Sequence, residues 1–190
     1  MDVVARARNL LLAPSEEWRI IGGEATSVEA IYRHYVVYLA AIGPIATFIG
    51  TSLIGFGGMR IGFFSGLIFA ILSYAASLAV VYVVALLVDK LAPSFDGTSD
   101  FLNAFKLVAY SMTAAWLAGI FAVIPLLGIL GLIGLYSIYL LFTGVPVMMR
   151  TPQDKSLIYT IAIILIGIVI NFVISAILSR LFSVPYLPAA

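Results

Sequence analysis

From Leu157 to Ser179 the chain carries no charged residue, and the same holds from Ile61 to Val88. Stretches this long fix the solvent before they fix the fold. About 20 apolar residues in a helix cross the ~30 Å hydrocarbon core of a bilayer. A backbone in that core must satisfy its own N–H and C=O groups, which favours helices. The pattern predicts five spans, at roughly Tyr35 to Ile54, Ile61 to Val88, Phe101 to Ile124, Gly128 to Met149 and Leu157 to Leu181. Composition points the same way. The chain is 63% hydrophobic and 10% charged, against about 45–50% and about 25% in soluble domains. The expected fold class is all-α, a polytopic membrane bundle of five transmembrane helices.

Lys and Arg set the expected orientation. With five spans, the N-terminal segment and the loops between spans two and three and between four and five share a side. That side holds Arg6, Arg8, Arg19, Arg33, Lys90, Lys106, Arg150 and Lys155, eight in all, against Arg60 and Arg180 on the other. The positive-inside bias predicts a cytoplasmic N-terminus and an external C-terminus. The chain divides accordingly into an interfacial N-terminal segment (1–34), a five-span membrane domain (35–182) and a short tail (183–190). The expected location is the cytoplasmic (inner) membrane of a prokaryote.

In the N-terminal segment, Val3, Val4, Ala7, Leu10 and Leu11 fall at helical spacing, with Arg6 and Arg8 off that stripe. This predicts an amphipathic helix on the membrane surface. Ser15 is expected to cap a second short helix with Glu16 and Glu17 in its first turn. Trp18 is expected at headgroup depth. Ser27 is placed to cap span one, and Pro44 to kink it. Thr98 or Ser99 is placed to cap span three, with Asp100 beside its positive end. Pro125, Leu126 and Leu127 form the expected turn between spans three and four.

The polar residues within the spans are few enough to follow singly. Asn103, Lys106, Tyr110 and Thr113 recur at three and four on span three and so form one polar stripe. Such stripes face other helices and not lipid. Tyr136, Tyr139 and Thr143 on span four, and Asn171, Ser175 and Ser179 on span five, are the expected counterparts. Together they outline a candidate polar pocket with Lys106 as its cation. The simpler expectation is that Lys106, about 7.5 Å into its helix at 1.5 Å per residue, snorkels to the interface.

Small residues mark close helix approach. Gly62, Gly66 and Ala70 share one face of span two, and Gly128, Gly131 and Gly134 recur at three on span four. These faces suit contacts within the bundle or self-association. Catalytic patterns are missing from the sequence. It has no cysteine and a single histidine, His34. There is no His-Glu-x-x-His, no Gly-x-Ser-x-Gly and no Walker loop. No Asp or Glu lies mid-span to relay protons. No cofactor or metal set is expected, and the net charge of +1 gives no basic field for nucleic acid.

Four stretches carry a family likeness: PSEEW followed by Arg19-Ile20; YVVYLAAIGPIATFIG; FDGTSDFLNAFKLVAYS; and GLYSIYLLFTGVPVMM with the following PQDKSLIYT. Together they resemble the Yip family, membrane proteins first described as partners of Rab-type GTPases. The likeness implies five spans with the N-terminus inside. Eukaryotic members carry a long cytosolic N-terminal region and an Asp-Leu-x-Gly-Pro element. Here that region is short and only Ile42-Gly43-Pro44 echoes the element, so the chain is more similar to the small bacterial and archaeal members. The expected function is that of a non-enzymatic membrane protein, which shapes or organises the bilayer or recruits a cytoplasmic partner. The alternative is a small-molecule or lipid transporter or channel subunit built on the polar pocket.

Overall fold

The computed structural model describes residues 2–55, 57, 59–181 and 186–188. Five helical segments are long and apolar enough to cross a membrane: Val28–Ile54, Phe63–Phe95, Phe101–Val123, Leu126–Met148 and Gln153–Leu178, here spans one to five. Span one begins at Val28, earlier than the sequence pattern suggests, because Ser27 does cap it: the Ser27 hydroxyl accepts from the Ala30 N–H at 3.2 Å. The regular helix of span one is interrupted at Ala41, just before Pro44, whose ring has no N–H and crowds the preceding turn.

Spans one and three cross at glycines. A Cβ on Gly119 would lie 2.9 Å from the Gly43 Cα, so the backbones approach closely there and Gly119 has no room for a side chain, whereas a Cβ on Gly43 would meet nothing within 4 Å. Span three breaks at Met112 and ends in a 3₁₀ segment, Gly119–Val123. The expected turn at Pro125–Leu127 is only Ile124, in extended conformation, and Pro125 already opens a 3₁₀ helix, Pro125–Leu135. That geometry accounts for glycines at every third residue. A 3₁₀ helix has three residues per turn, so Gly128, Gly131 and Gly134 are stacked on one line. Gly134 meets Ala115 and Ala118 of span three, whereas nothing lies within 4 Å of a Cβ on Gly128 or Gly131. On span two, Gly66 packs against Phe48 and Ser52 of span one.

The loop between spans two and three is tied down. Thr98 N–H donates to the Met149 carbonyl at 2.7 Å, Lys155 pairs with Asp96, and Phe95 stacks on Tyr159 with centroids 4.7 Å apart. The cap of span three is Asp100, which accepts from the Asn103 N–H at 3.1 Å. Thr98 and Ser99 do not fill that role; the Ser99 hydroxyl donates to Asp89. Asp100 wins because its carboxylate also complements the positive helix end. At the opposite end of the bundle, β1 (Met59–Ile61) pairs antiparallel with β2 (Tyr186–Pro188), which joins the first inter-span loop to the tail. Tail residues 183–185, 189 and 190 lie outside the described residues.

Two short helices precede the spans: α1 (Val3–Leu12) and α2 (Pro14–Gly23). Asp2 caps α1, accepting from Val4 and Ala5. Pro14 stands in the first turn of α2, where its missing N–H is harmless. Ser15 is therefore inside the helix and does not cap it, while Glu16 and Glu17 occupy the first turn as expected.

Candidate functional site

The two N-terminal helices form a hairpin laid lengthwise against the bundle. Three contacts fix its height. Tyr136 Oη donates to the Leu11 carbonyl at 3.1 Å. Trp18 Nε1 donates to the Leu140 carbonyl at 3.1 Å. A Cβ on Gly22 would lie 3.7 Å from Val147. Thus the hairpin runs beside span four from Tyr136, which meets Leu11 of α1, to Met148, which meets Gly22 of α2, about 18 Å of helix at 1.5 Å per residue.

Trp18 is fully buried within the protein, so its ring packs on neighbouring helices and does not face the headgroups. Gly144 makes the room. A Cβ there would come within 2.6 Å of both the Trp18 ring and Leu107. The indole thus fills a notch cut into span four, with its edge toward Tyr110 and its one N–H satisfied.

Beneath the hairpin lies a charged cluster. Arg6 is 9% exposed, so it belongs to the buried face of α1, contrary to the sequence pattern that set it outside the apolar stripe. Its guanidinium donates to Glu17 at 2.5 Å and also pairs with Glu24. It sits 5.7 Å from the centroid of the Tyr110 ring. A guanidinium fork can serve two carboxylates and an aromatic face at once, and a lysine cannot. A charge in such surroundings persists only when paired and hydrogen-bonded, and Arg6 has both.

Lys106 is 3% exposed and does not snorkel. Its ammonium donates to the Ile21 carbonyl at 2.9 Å and to the Glu24 carbonyl at 2.8 Å. These carbonyls close the C-terminal end of α2, where Glu24 is the cap and its N–H also donates to Ile21 at 3.3 Å, and a cation there complements the negative end of the helix dipole. The lysine that interrupts an apolar span thus binds the C-terminal end of another helix. Lys106→Met is expected to ease hairpin opening by about 1.5–3 kcal/mol, the worth of hydrogen bonds from a charged donor. The readout is faster amide hydrogen exchange in residues 20–26; unchanged exchange there would remove Lys106 from the cluster.

The remaining candidates fall into two groups. Thr113 donates to the Tyr110 carbonyl at 2.6 Å and receives the Tyr35 hydroxyl proton at 2.7 Å. Lys106, Tyr110 and Tyr136 therefore gather around the hairpin, Thr113 links Tyr110 to Tyr35 of span one, and Asn103 closes the Asp100 cap. Tyr139 is half exposed beside Tyr136. Asn171 and Ser175 lie elsewhere, on a cavity between spans two, three, four and five. Arg6, Glu17, Trp18 and Glu24 complete the cluster and were not among the site residues expected from the sequence. Among the described residues, no group of three His, Asp or Glu side chains is placed to hold a metal.

Comparison with known proteins gives a consistent picture. The Yip1 domain pattern matches residues 8–174. The inner membrane protein YohC of Escherichia coli strain K12 is 29% identical over 182 residues, covering 91% of this chain and 93% of that protein. YohC of E. coli O6:H1 matches to the same extent. No solved structure matches the chain.

Proposed function

Because the chain belongs to the Yip family of integral membrane proteins, we propose that it works by contact, without catalysis, and that its N-terminal hairpin shapes the bilayer beside it. The hairpin lies on the cytoplasmic side in this reading, as the Lys and Arg bias favours. Lys106, Tyr110 and Tyr136 serve to hold it there.

The observation that carries the reading is the outer surface of the hairpin. Asn9, Ser15, Glu16 and Arg19 are exposed along it, at the level of the inner half of span four. A charged side chain in the hydrocarbon is unfavourable by about 2.5–3.5 kcal/mol even on the mildest scale. The bilayer therefore has to withdraw from this face. What remains for lipid on this face is the uncharged 3₁₀ half of span four, Leu126 to Leu135, about 18 Å at 2.0 Å per residue. Span five on another face exposes apolar side chains from Leu157 to Ile177, about 30 Å at 1.5 Å per residue. One protein with two hydrophobic heights draws in the leaflet on its short side. Val4, Leu12 and Tyr38, all exposed, give that boundary an apolar edge on which α1 rests, as an interfacial helix does.

Cysteine labelling tests this directly, since the chain has no cysteine of its own. In nanodiscs, Glu16→Cys is expected to react with a water-soluble maleimide, while Phe172→Cys stays protected. The triple variant Asn9→Leu, Glu16→Leu, Arg19→Leu leaves the buried cluster intact and is expected to abolish the remodelling of reconstituted vesicles. A protected Glu16→Cys, together with vesicles unchanged by the triple variant, would retire the reading.

A further inference from the structure

The face of span three opposite the hairpin borders a cavity of about 440 Å³ between spans two, three, four and five, within the ~300–1,000 Å³ range of small-molecule sites. At 100° per residue, Val108, Ser111 and Met112 project away from Lys106 and Tyr110. The cavity thus shares no side chain with the charged cluster. Ser111 is ten residues past Phe101, or ~15 Å along the helix, which is half of a ~30 Å hydrocarbon core. The cavity is therefore at mid-membrane depth. Its lining residues Ile138, Asn171 and Ser175 are exposed at the protein surface, so it opens sideways, toward lipid.

The lining contains no charged residue. Its polar members are five serines, one asparagine and the Trp116 indole, and three of them are already engaged. Ser77 donates to the Tyr74 carbonyl at 2.8 Å. Ser137 accepts from the Ala115 N–H at 2.9 Å. Asn171 donates to the Gly167 carbonyl at 2.9 Å. Ser111 is different. It is 4% exposed, and its hydroxyl has no hydrogen-bond partner. A helical serine ordinarily bonds back to the preceding turn. Ser111 does not, and it sits where span three breaks before Thr113. An unpaired buried hydroxyl is unfavourable by about 1–3 kcal/mol. Irregular backbone at membrane depth is tolerated where it is buried or lines a cavity.

We infer that this cavity is a binding site for an uncharged lipid that carries a hydroxyl or carbonyl group on a hydrocarbon chain. The apolar walls, among them Val84, Leu141 and Ile164, take the chain. Ser111 takes the oxygen. A lone water fits poorly, since it needs two to four polar partners and Ser111 is flanked by Val108 and Met112. An anionic headgroup is excluded because no cation lines the cavity and the phosphates of the bilayer lie well away from its midplane. This site goes beyond the contact role proposed above and does not depend on the hairpin.

The test uses the full chain in nanodiscs with two photoreactive probes, a diazirine-bearing long-chain alcohol and a phosphatidic acid with the diazirine on its acyl chain. The alcohol is expected to label peptides spanning residues 73–84 and 163–175 saturably. Ser111→Val should weaken that labelling about fivefold to tenfold, the equivalent of one hydrogen bond. Ala76→Phe, which fills the cavity, should abolish it, and Ser111→Val keeps the test open if Ala76→Phe fails to fold. The phosphatidic acid should label only peripheral lipid-facing peptides. Labelling that does not saturate, or that is unchanged in Ser111→Val, or that is equal for both probes, would overturn the site.

Discussion

Arg6→Ala is expected to release the N-terminal hairpin, at a loss of about 3–5 kcal/mol, the usual penalty for leaving one half of a buried ion pair behind. Glu17 is the residue left behind. Its side chain is 5% exposed, so water cannot readily replace the guanidinium. Glu24, at 32%, turns toward solvent and loses little. Arg6→Lys should recover only part of the stability, because an ammonium cannot bridge two carboxylates in fork geometry. Arg6→Met combined with Glu17→Met should come close to wild type, since replacing both partners by apolar groups of similar volume is often neutral. Amide hydrogen exchange across α1 and α2 reads all three variants. Equal protection in wild type and Arg6→Ala would show that the hairpin is held by apolar packing alone.

Trp18→Ala is expected to match that loss by a different route, with about 3–5 kcal/mol from emptying a large buried aromatic site. The indole fills the notch above Gly144, and its N–H is bonded to the Leu140 carbonyl. Trp18→Phe keeps most of the volume and loses the hydrogen bond, so it should lie much nearer wild type. The reciprocal change, Gly144→Val, puts atoms where the ring already is, and overpacking of this kind typically destabilises by about 1–3 kcal/mol. Tryptophan fluorescence of a Trp116→Phe background reports on Trp18 directly. A blue-shifted emission that moves red in Gly144→Val is the expected sign of displacement. An emission that is red-shifted from the start would contradict the burial.

The spans were legible because hydropathy is a local property: each of the five stretches declares itself within its own residues. Ser27 and the Glu16–Glu17 turn were legible for the same reason. The cap of span three was misplaced by one or two residues because Thr98, Ser99 and Asp100 all have the chemistry and only the backbone decides among them. Arg6 and Trp18 were misplaced for a deeper reason. Periodicity assigns a charged residue to the wet face and an isolated tryptophan to the interface. Partners outside their own helical turns, Glu17, Glu24 and Tyr110 for Arg6 and Leu140 and Gly144 for Trp18, reverse those assignments. Of the polar stripe on span three, the common face of Lys106, Tyr110 and Thr113 was legible. What that face meets was not, because α2 looked like a surface element and its C-terminal carbonyls leave no trace in side-chain pattern. Asn171 and Ser175 were legible as polar residues within a span, but only the packing of four helices separates them from Lys106.

The hydrogen bonds of the hairpin span great sequence distances: 85 residues from Ile21 to Lys106, 122 from Trp18 to Leu140 and 125 from Leu11 to Tyr136. During synthesis the hairpin therefore exists well before anything it can hold. At about 5–20 residues per second, the ribosome needs several seconds to supply spans three and four after α2 has emerged. Through that interval Arg6, Glu17 and Glu24 must stay hydrated, and their mutual pairing within the hairpin lets them wait without a partner from the spans. The hairpin is thus made early and docks late. Its closing over Lys106 and Gly144 marks the moment at which the third and fourth helices have been inserted and brought together, so that the oldest part of the chain becomes the proof that the newer parts are in place.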